Sequence, residues 1–265
     1  MTDAAQIAPN LTPDRDLAAE LEQVAIAAGA VILEIYNSDF THDRKLDHSP
    51  VTEADVAAEK VITAALQRLT PDIPVIAEED AAANGLPASA AARFWLVDPL
   101  DGTKEFIARN GEFTVNIALI ENGQPSFGVV HVPVLGQTYS TDGRQAWRRL
   151  GDQPRQPIAA RHVPPAGAVM TISRSHAAQE LVKASEMGVH VIDTLVAGSS
   201  LKFCRLAEGV ADLYPRFGPT MEWDTAAGHA VLAAAGGSVQ ALDGRPLTYG
   251  KPGFRNPHFI ARGRD

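Results

Sequence analysis

Cysteine is almost absent from this sequence, since Cys204 is the only one among 265 residues. A single cysteine excludes an internal disulfide and a cysteine-rich metal site, and it suits a reducing compartment. Long apolar runs are also lacking, and none approaches the roughly 20 residues that span a membrane. The N-terminus has neither the basic nor the apolar region of a signal peptide. We therefore expect a cytoplasmic protein without membrane insertion, and peripheral association with the inner membrane stays open.

Positive charge is in deficit, with 23 Lys and Arg against 32 Asp and Glu and a net charge of −9. An acidic surface repels nucleic acids, so we expect no nucleic-acid partner. A small phosphorylated substrate is still compatible with this charge if metal ions invert the local field. The hydrophobic content of 45% is enough for one large domain or two smaller ones. The oligomeric state stays open.

The hydrophobic pattern divides the chain into two parts. Apolar residues recur at spacings of three and four over 14–37 and 53–69, which predicts two helices. A run of antiparallel strands follows between residues 113 and 148, and strands then alternate with helices from residue 168 onward. We predict an α/β fold with a flexible tail over 1–13, an N-terminal α+β metal-binding domain over 14–150 and a C-terminal α/β substrate domain over 151–265.

The stretch 94–106 joins two carboxylates to one tight turn. A short apolar run ends at Asp98, and Asp101 follows three positions later. Two carboxylates so close repel each other unless a cation lies between them. Gly102 permits close approach of a ligand, and the first N–H groups of a helix at 103–106 favour an anion. The stretch predicts a site for a metal and a phosphate, and the alternative is an ordinary turn rich in Asp, Pro and Gly.

Other acidic residues occur at the same kind of position, at the end of a strand or the start of a helix. They are Glu78, Asp55 and Asp224. A set of oxygen ligands suits Mg²⁺ better than Zn²⁺. Two or three such ions can hold the attacking and leaving oxygens of a phosphoryl displacement. The alternative for each acid alone is capping of a helix N-terminus.

Three junctions in the second half connect a strand to a helix through small polar residues. These junctions are 173–176, 198–202 and 218–220, and Arg216 lies just before the last. Ligands of open α/β sheets bind at the carboxyl ends of the strands, where serine and lysine side chains can contact phosphate. Ordinary N-capping and surface positions are the alternatives.

Taken together, these motifs resemble the lithium-sensitive, magnesium-dependent phosphatase superfamily that includes inositol monophosphatase. The matching segments are Glu78-Glu79, residues 98–103 and residues 223–228. Within that superfamily the chain looks most like the CysQ-type 3′(2′),5′-bisphosphate nucleotidases, because of segments 95–120, 173–176, 198–204 and 214–220. Lys104-Glu105 stand where inositol monophosphatases usually have Thr-Asn. The resemblance covers about residues 15–261 and implies an inositol-monophosphatase-like layered α-β-α-β-α sandwich.

The resemblance also implies two to three Mg²⁺ ions. Glu78, Asp98 and the Leu100 carbonyl would hold one ion. Asp98, Asp101 and Asp224 would hold a second, and a third, looser ion near Glu78 would carry the attacking water. The same resemblance implies inhibition by Li⁺ and Ca²⁺.

For catalysis and substrate binding, the resemblance implies that Thr103 and Asp55 orient and deprotonate the attacking water. The N–H groups of Gly102 and Thr103 would bind the phosphate that is removed. The nucleotide and its retained 5′-phosphate would be held by Ser199, Lys202, His176 and Arg216. Two departures from the family pattern are Ala77 before Glu78, and Glu222, which adds a carboxylate next to the site and could alter metal affinity.

The implied reaction is hydrolysis of the 3′-phosphate of adenosine 3′,5′-bisphosphate to AMP, with 3′-phosphoadenylyl sulfate as a second candidate substrate. One alternative is an inositol monophosphatase or fructose-1,6-bisphosphatase on the same fold. Another is a catalytically silent, metal-binding scaffold, against which the intact set of acids and Thr103 argues.

Overall fold

The computed structural model of the protein describes residues 15–38, 42–44, 50–174, 177–186 and 188–264. The predicted tail over 1–13 lies outside these ranges, and so does the predicted site residue His176. None of the described helices is both long enough and apolar enough to cross a bilayer.

The helices and strands are numbered in chain order within the described ranges. The helices are α1 (Arg15–Tyr36), α2 (Glu53–Leu69), α3 (Glu78–Asn84), α4 (Thr103–Ile107), α5 (Ala177–Glu186), α6 (Leu201–Ala207) and α7 (Ala226–Ala234). The strands are β1 (His42–Arg44), β2 (Pro50–Thr52), β3 (Val75–Ala77), β4 (Arg93–Asp101), β5 (Thr114–Glu121), β6 (Gln124–Val132), β7 (Gln137–Thr141), β8 (Ala146–Leu150), β9 (Gln156–Ile158), β10 (Ala168–Ile172), β11 (Val191–Val196), β12 (Leu213–Arg216), β13 (Ser238–Ala241) and β14 (Phe259–Arg262).

Two main sheets lie between layers of helices. The first has seven strands in the order β3-β4-β5-β6-β7-β8-β9, and the second has five in the order β11-β10-β12-β14-β13. Helices α1 and α2 pack on the first sheet, and α7 contacts β5 and β6 of that sheet as well as α6. Helix α6 contacts β10 and β12 of the second sheet, and α5 contacts β12. This is the predicted layered α/β sandwich.

The apolar periodicity of the sequence accounts for the core between these layers. Buried residues at spacings of three and four, such as Leu21, Ala25, Ala28 and Ile32, place one face of α1 in a core shared with α2 and β4. A second buried cluster joins the first sheet to α6 and α7, and it includes the fully buried Cys204. Strand β5, an inner strand of the first sheet, is buried along its whole length, which suits its mostly apolar sequence.

Four elements were not predicted from the sequence, and two of them are the short strands β1 and β2, which pair antiparallel with each other. Helix α3 begins at Glu78, and its last turn covers the small residues of 81–84, which carry no apolar periodicity. Strand β9 lies in a segment without periodicity and pairs antiparallel with β8. The first sheet therefore continues eight residues beyond the predicted boundary at 150, although the division into two domains remains a prediction.

Candidate active site

Three carboxylates from distant parts of the chain meet at one end of the first sheet. Glu78 is the first residue of α3, Asp98 lies on β4, and Asp224 lies just before α7. Each offers an oxygen, and these oxygens all lie within 4.8 Å of one another. Such a set of hard oxygen donors fits Mg²⁺, which binds through carboxylates and water. The donor chemistry is therefore compatible with the metal that the sequence predicts.

Burial and neighbouring negative charges both disfavour the charged form of Asp224. Removal from water raises the pKa of Asp224 well above its ordinary value, and the nearby charges of Asp101 and Glu78 act in the same direction. A hydrogen bond from the Met221 N–H, at 2.9 Å, lowers the pKa and opposes them. Negative charges so placed are stable together when a cation neutralises them.

An irregularity in β4 brings its two aspartates to the site. Asp98 pairs with Asn116 and Asp101 with Thr114, so the ladder shifts register between them. A shift of this kind bends the strand and redirects its side chains. The Leu100 N–H donates to Asp98 Oδ1 at 3.1 Å within this bend.

Asp101 lies beside the three-carboxylate group, although it is not one of the three. Its Oδ2 accepts a hydrogen bond of 2.8 Å from the Ser200 N–H. The Ser200 hydroxyl in turn donates to the Asp224 carbonyl at 2.5 Å. Ser200 therefore ties Asp101 of the first sheet to the segment that carries Asp224.

The two predicted catalytic residues contact each other. The Thr103 hydroxyl donates to Asp55 Oδ1 at 3.3 Å and lies 3.4 Å from the Leu100 carbonyl. The other oxygen of Asp55 accepts from the Thr52 N–H at 2.8 Å and from the Thr52 hydroxyl at 2.7 Å. Asp55 is buried and held by the capping box at the start of α2. Its Oδ1 accepts the hydrogen bond from Thr103. This is the arrangement expected of two residues that together orient a water molecule.

Glu59, one turn after Asp55 on α2, holds the start of α3. Its carboxylate accepts the N–H of Glu79 at 2.7 Å and that of Asp80 at 2.9 Å. Burial raises the pKa of Glu59, and the two N–H bonds oppose that rise. Because these two residues directly follow Glu78, Glu59 fixes the position of a cluster carboxylate.

A cleft of about 170 Å³ opens beside the carboxylates, between the two sheets. Its lining includes Asp101, Gly102, Lys104, Glu105, Ser173, Arg174, Gly198, Ser199, Lys202, Tyr214, Arg216, Thr220 and Asp224. Gly102 has φ of 95°, a conformation that favours glycine, and it precedes α4. Four of the predicted substrate-binding residues, Gly102, Ser199, Lys202 and Arg216, thus line one cleft with two of the predicted metal ligands, Asp101 and Asp224.

Ser199 and Lys202 line this cleft with their polar atoms partly engaged by the protein. The Ser199 hydroxyl donates to the Asp101 carbonyl at 3.0 Å and lies 2.6 Å from the Thr114 hydroxyl. Lys202 Nζ is 3.4 Å from the Ser199 carbonyl. Burial lowers the pKa of Lys202 to about 8, and the positive charge of Arg216 acts in the same direction. Lys202 is therefore a poorly solvated donor beside the cleft.

Arg216 also lines the cleft, and its Nη2 donates to the Pro219 carbonyl at 3.0 Å. Its Nε is buried and has no hydrogen-bond partner in the described part of the chain. His176, the fourth residue predicted to hold the nucleotide, lies outside the described residues.

Glu222 does not supply the additional carboxylate that the sequence led us to expect beside the metal group. Its side chain is fully buried and turned toward another loop, where it accepts from the N–H groups of Gly250 at 2.6 Å and Lys251 at 3.0 Å. Lys251 Nζ lies 2.6 Å from the same carboxylate. These partners satisfy Glu222 and leave it out of the group formed by Glu78, Asp98 and Asp224.

Sequence reasoning missed three residues that position this site: Thr52, Glu59 and Ser200. Thr52 stands three positions before Asp55, which is the spacing of a capping box and was a usable signal. Glu59 lies four positions after Asp55 and thus on the same face of α2. For Ser200, nothing in the sequence indicated that it would bridge Asp101 and Asp224.

Comparison with known proteins identifies the family of the chain. The Inositol monophosphatase family model matches residues 14–261. The 3′(2′),5′-bisphosphate nucleotidase CysQ of Escherichia coli K12 is 51% identical over 241 residues, which are 89% of this chain and 96% of that protein. The crystal structure of CysQ from Bacteroides thetaiotaomicron has a TM-score of 0.78 at 38% identity, over 96% of this chain and 99% of that one.

A more distant structure supports the fold alone. Inositol monophosphatase II from Staphylococcus aureus has a TM-score of 0.73 at 20% identity, over 94% of this chain and 89% of that one. Since the family model spans nearly the whole sequence and relatives above 30% identity are covered almost completely, the chain belongs to the inositol monophosphatase family.

Proposed function

We propose that the protein is a Mg²⁺-dependent 3′(2′),5′-bisphosphate nucleotidase that removes the 3′-phosphate of adenosine 3′,5′-bisphosphate. The observation that carries this proposal is the junction of a three-carboxylate group with a cleft lined by Lys, Arg and Ser side chains. The nucleotidase relatives at 51% identity support the same substrate class. 3′-Phosphoadenylyl sulfate is the second candidate substrate.

In this proposal Glu78, Asp98, Asp101, Asp224 and the Leu100 carbonyl hold two to three Mg²⁺ ions. When bound, Mg²⁺ lowers the pKa of water and neutralises charge on the phosphoryl group. The chain itself then needs to orient a water molecule and bind the phosphate, because phosphoryl transfer depends mainly on positioning and electrostatic stabilisation.

The Asp55–Thr103 pair is suited to the orienting step. Thr103 donates to Asp55, so its oxygen lone pairs remain available to accept a hydrogen bond from water. Asp55 is the proton acceptor at the end of this short chain. Its second oxygen accepts hydrogen bonds from the Thr52 N–H and hydroxyl, which fix the orientation of the carboxylate.

The phosphate to be removed would contact the N–H groups of Gly102 and Thr103, and the nucleotide and its 5′-phosphate would contact Ser199, Lys202, Arg216 and His176. Buried, poorly solvated cations bind phosphate more strongly than hydrated surface lysines do, because little water has to be displaced from them. The low pKa of Lys202 reflects this lack of solvation.

A substrate panel tests the proposal. With Mg²⁺, adenosine 3′,5′-bisphosphate should release phosphate far faster than inositol 1-phosphate or fructose 1,6-bisphosphate. Li⁺ and Ca²⁺ should inhibit, since Ca²⁺ prefers more ligands at longer distances than a Mg²⁺ site provides. Preference for either sugar phosphate would reassign the substrate, and Mg²⁺ binding without phosphate release from any compound would favour the scaffold.

A further inference from the structure

Glu105 lines the cleft with a carboxylate that is not a candidate metal ligand. Most polar side chains there are hydrogen-bond donors, namely Lys104, Ser173, Arg174, Ser199, Lys202 and Arg216. Donors of this kind suit the oxygens of phosphate groups. Glu105 instead presents a carboxylate, which repels phosphate and accepts hydrogen bonds.

The position of Glu105 is close to where the reaction would occur. It lies on α4, one turn after Gly102. Its Oε2 would be 3.4 Å from a Cβ atom added to Gly102, and its Cγ would be 3.2 Å from one added to Gly198. The side chain thus packs between two glycines of the cleft, next to the backbone proposed to hold the phosphate that is removed.

The protein does not use up the hydrogen-bonding capacity of this carboxylate. Among the described residues, its own backbone N–H is the only group that donates a hydrogen bond to this carboxylate. Burial raises the pKa of Glu105, and the positive charge of Lys202 opposes that rise. Arg174, which also lines the cleft, is paired with Glu112 at 2.6 Å instead. Glu105 therefore keeps an acceptor oxygen for a ligand.

A nucleoside bisphosphate has few donors to offer such an oxygen. Its phosphates only accept at neutral pH, and the donor next to the phosphate being removed is the neighbouring ribose hydroxyl. We propose that Glu105 accepts a hydrogen bond from this hydroxyl and makes the cleft selective for ribonucleotides over deoxyribonucleotides. This inference rests on the proposed nucleotidase function and adds a specificity residue to it.

The expected selectivity follows from the cost of leaving a charged acceptor without its donor. Hydrogen bonds to charged groups contribute enough that their loss lowers kcat/KM by roughly 10- to 100-fold. A deoxyribose substrate deprives Glu105 of its partner in the same way as removal of the carboxylate does. The effects of the deoxyribose substrate and of removal of the Glu105 carboxylate on kcat/KM should therefore not be additive.

The test compares kcat/KM for adenosine 3′,5′-bisphosphate and 2′-deoxyadenosine 3′,5′-bisphosphate in the wild-type protein, Glu105→Gln and Glu105→Ala. The wild type should prefer the ribose substrate by roughly 10- to 100-fold. Glu105→Ala should lose most of this preference through slower turnover of the ribose substrate alone. Glu105→Gln keeps an acceptor oxygen and should be intermediate.

The ratio of the two substrates within one variant does not depend on how much of that variant folds. An equal loss on both substrates in Glu105→Ala would overturn the role of Glu105 while leaving the nucleotidase function in place. If the wild-type protein with Mg²⁺ hydrolysed neither substrate, the proposed function and this inference would both be rejected.

Discussion

At the scale of single residues, the candidate site is defined by how each carboxylate is held. Asp55 is fixed by Thr52, Asp101 by the Ser200 N–H and Asp224 by the Met221 N–H. These donors determine the direction of each side chain but do not cancel its charge. The repulsion between Asp101, Glu78 and Asp224 therefore persists until a cation binds.

The variant Asp224→Asn tests this repulsion. In EDTA it should melt roughly 2–4 °C above the wild type, the shift that about 1 kcal/mol produces in a protein of this size. In Mg²⁺ the order should reverse, because the variant lacks a ligand for the metal. Loss of several kcal/mol of charge stabilisation should lower turnover by about 10³-fold.

Differential scanning calorimetry with and without Mg²⁺ measures both parts of this prediction. An Asp224→Asn protein that melted below the wild type in EDTA would argue that Asp224 is a structural residue and not one member of a repelling metal-binding group.

At the scale of elements, short contacts between helix starts and strand ends assemble the site. Helix α2 supplies Asp55 from its first turn and Glu59 from its second, and the latter holds the start of α3. The loop before α6 reaches back through Ser199 and Ser200 to the end of β4. Each contact joins segments far apart in sequence, so misplacement of one element moves a side chain of the candidate site.

Thr52→Ala should show this coupling at the start of α2. Loss of the N-cap should cost about 1 kcal/mol of stability, measured by urea unfolding. Turnover should fall by about tenfold, because Asp55 is no longer aimed at Thr103 and misplaced catalytic groups are costly.

Thr63→Ala is the matched control for this prediction. Thr63 lies on the same helix, and its hydroxyl donates to the Glu59 carbonyl without capping the helix or contacting the site. It should change turnover little. Equal turnover in both variants would mean that Thr52 serves only the stability of α2.

At the scale of the whole molecule, the layers are held close by small residues at their contacts. A Cβ atom added to Gly128 of β6 would lie 2.5 Å from the Ala227 carbonyl oxygen and 2.8 Å from the Ala230 Cβ. The first sheet and α7 are therefore nearly in backbone contact. Helix α7 begins just after Asp224, so the contact between β6 and α7 also fixes the position of the Asp224 carboxylate.

Gly128→Ala should destabilise the protein by about 1–3 kcal/mol through overpacking, as measured by chemical denaturation. Mg²⁺ activation should weaken as α7 is displaced. Ser126→Ala, on the same strand, is the control and should change stability by less than about 1 kcal/mol. Wild-type stability in Gly128→Ala would show that the layers can separate at no cost.

Acid should destabilise the fold through two buried histidines. Burial lowers the pKa of His131 and that of His229 to about 4. Between pH 6.5 and 4 the unfolded chain binds protons that the folded one excludes, so stability is full above pH 6.5 and falls with acidification. Each histidine should contribute up to about 3 kcal/mol to this loss.

Urea unfolding at intervals from pH 7 to pH 4.5 measures the slope. His131→Gln should flatten it, whereas the same change at the exposed His162 should not. Identical slopes in the two variants would exclude His131 as a source of acid lability.

The sequence by itself determined the helices α1 and α2, most strands, the layered α/β class and the identity of the acids that meet at the site. Periodicity determines these features because the burial of one helix or strand face depends on local spacing. Helix α3 escaped prediction because small residues in that segment resemble a linker, and β9 because its pairing with β8 fixes it more than its own pattern does.

Only the tertiary structure decided which side chains cooperate. The Glu222 carboxylate binds the loop at Gly250 and Lys251, and Ser200 bridges Asp101 and Asp224. The Glu105 carboxylate lies in a cleft that is also lined by hydrogen-bond donors. These outcomes depend on contacts between residues from about 24 to 99 positions apart, for which local sequence carries no signal. The residue types in the sequence indicated the chemistry of the site, whereas the orientation of each side chain depends on tertiary packing.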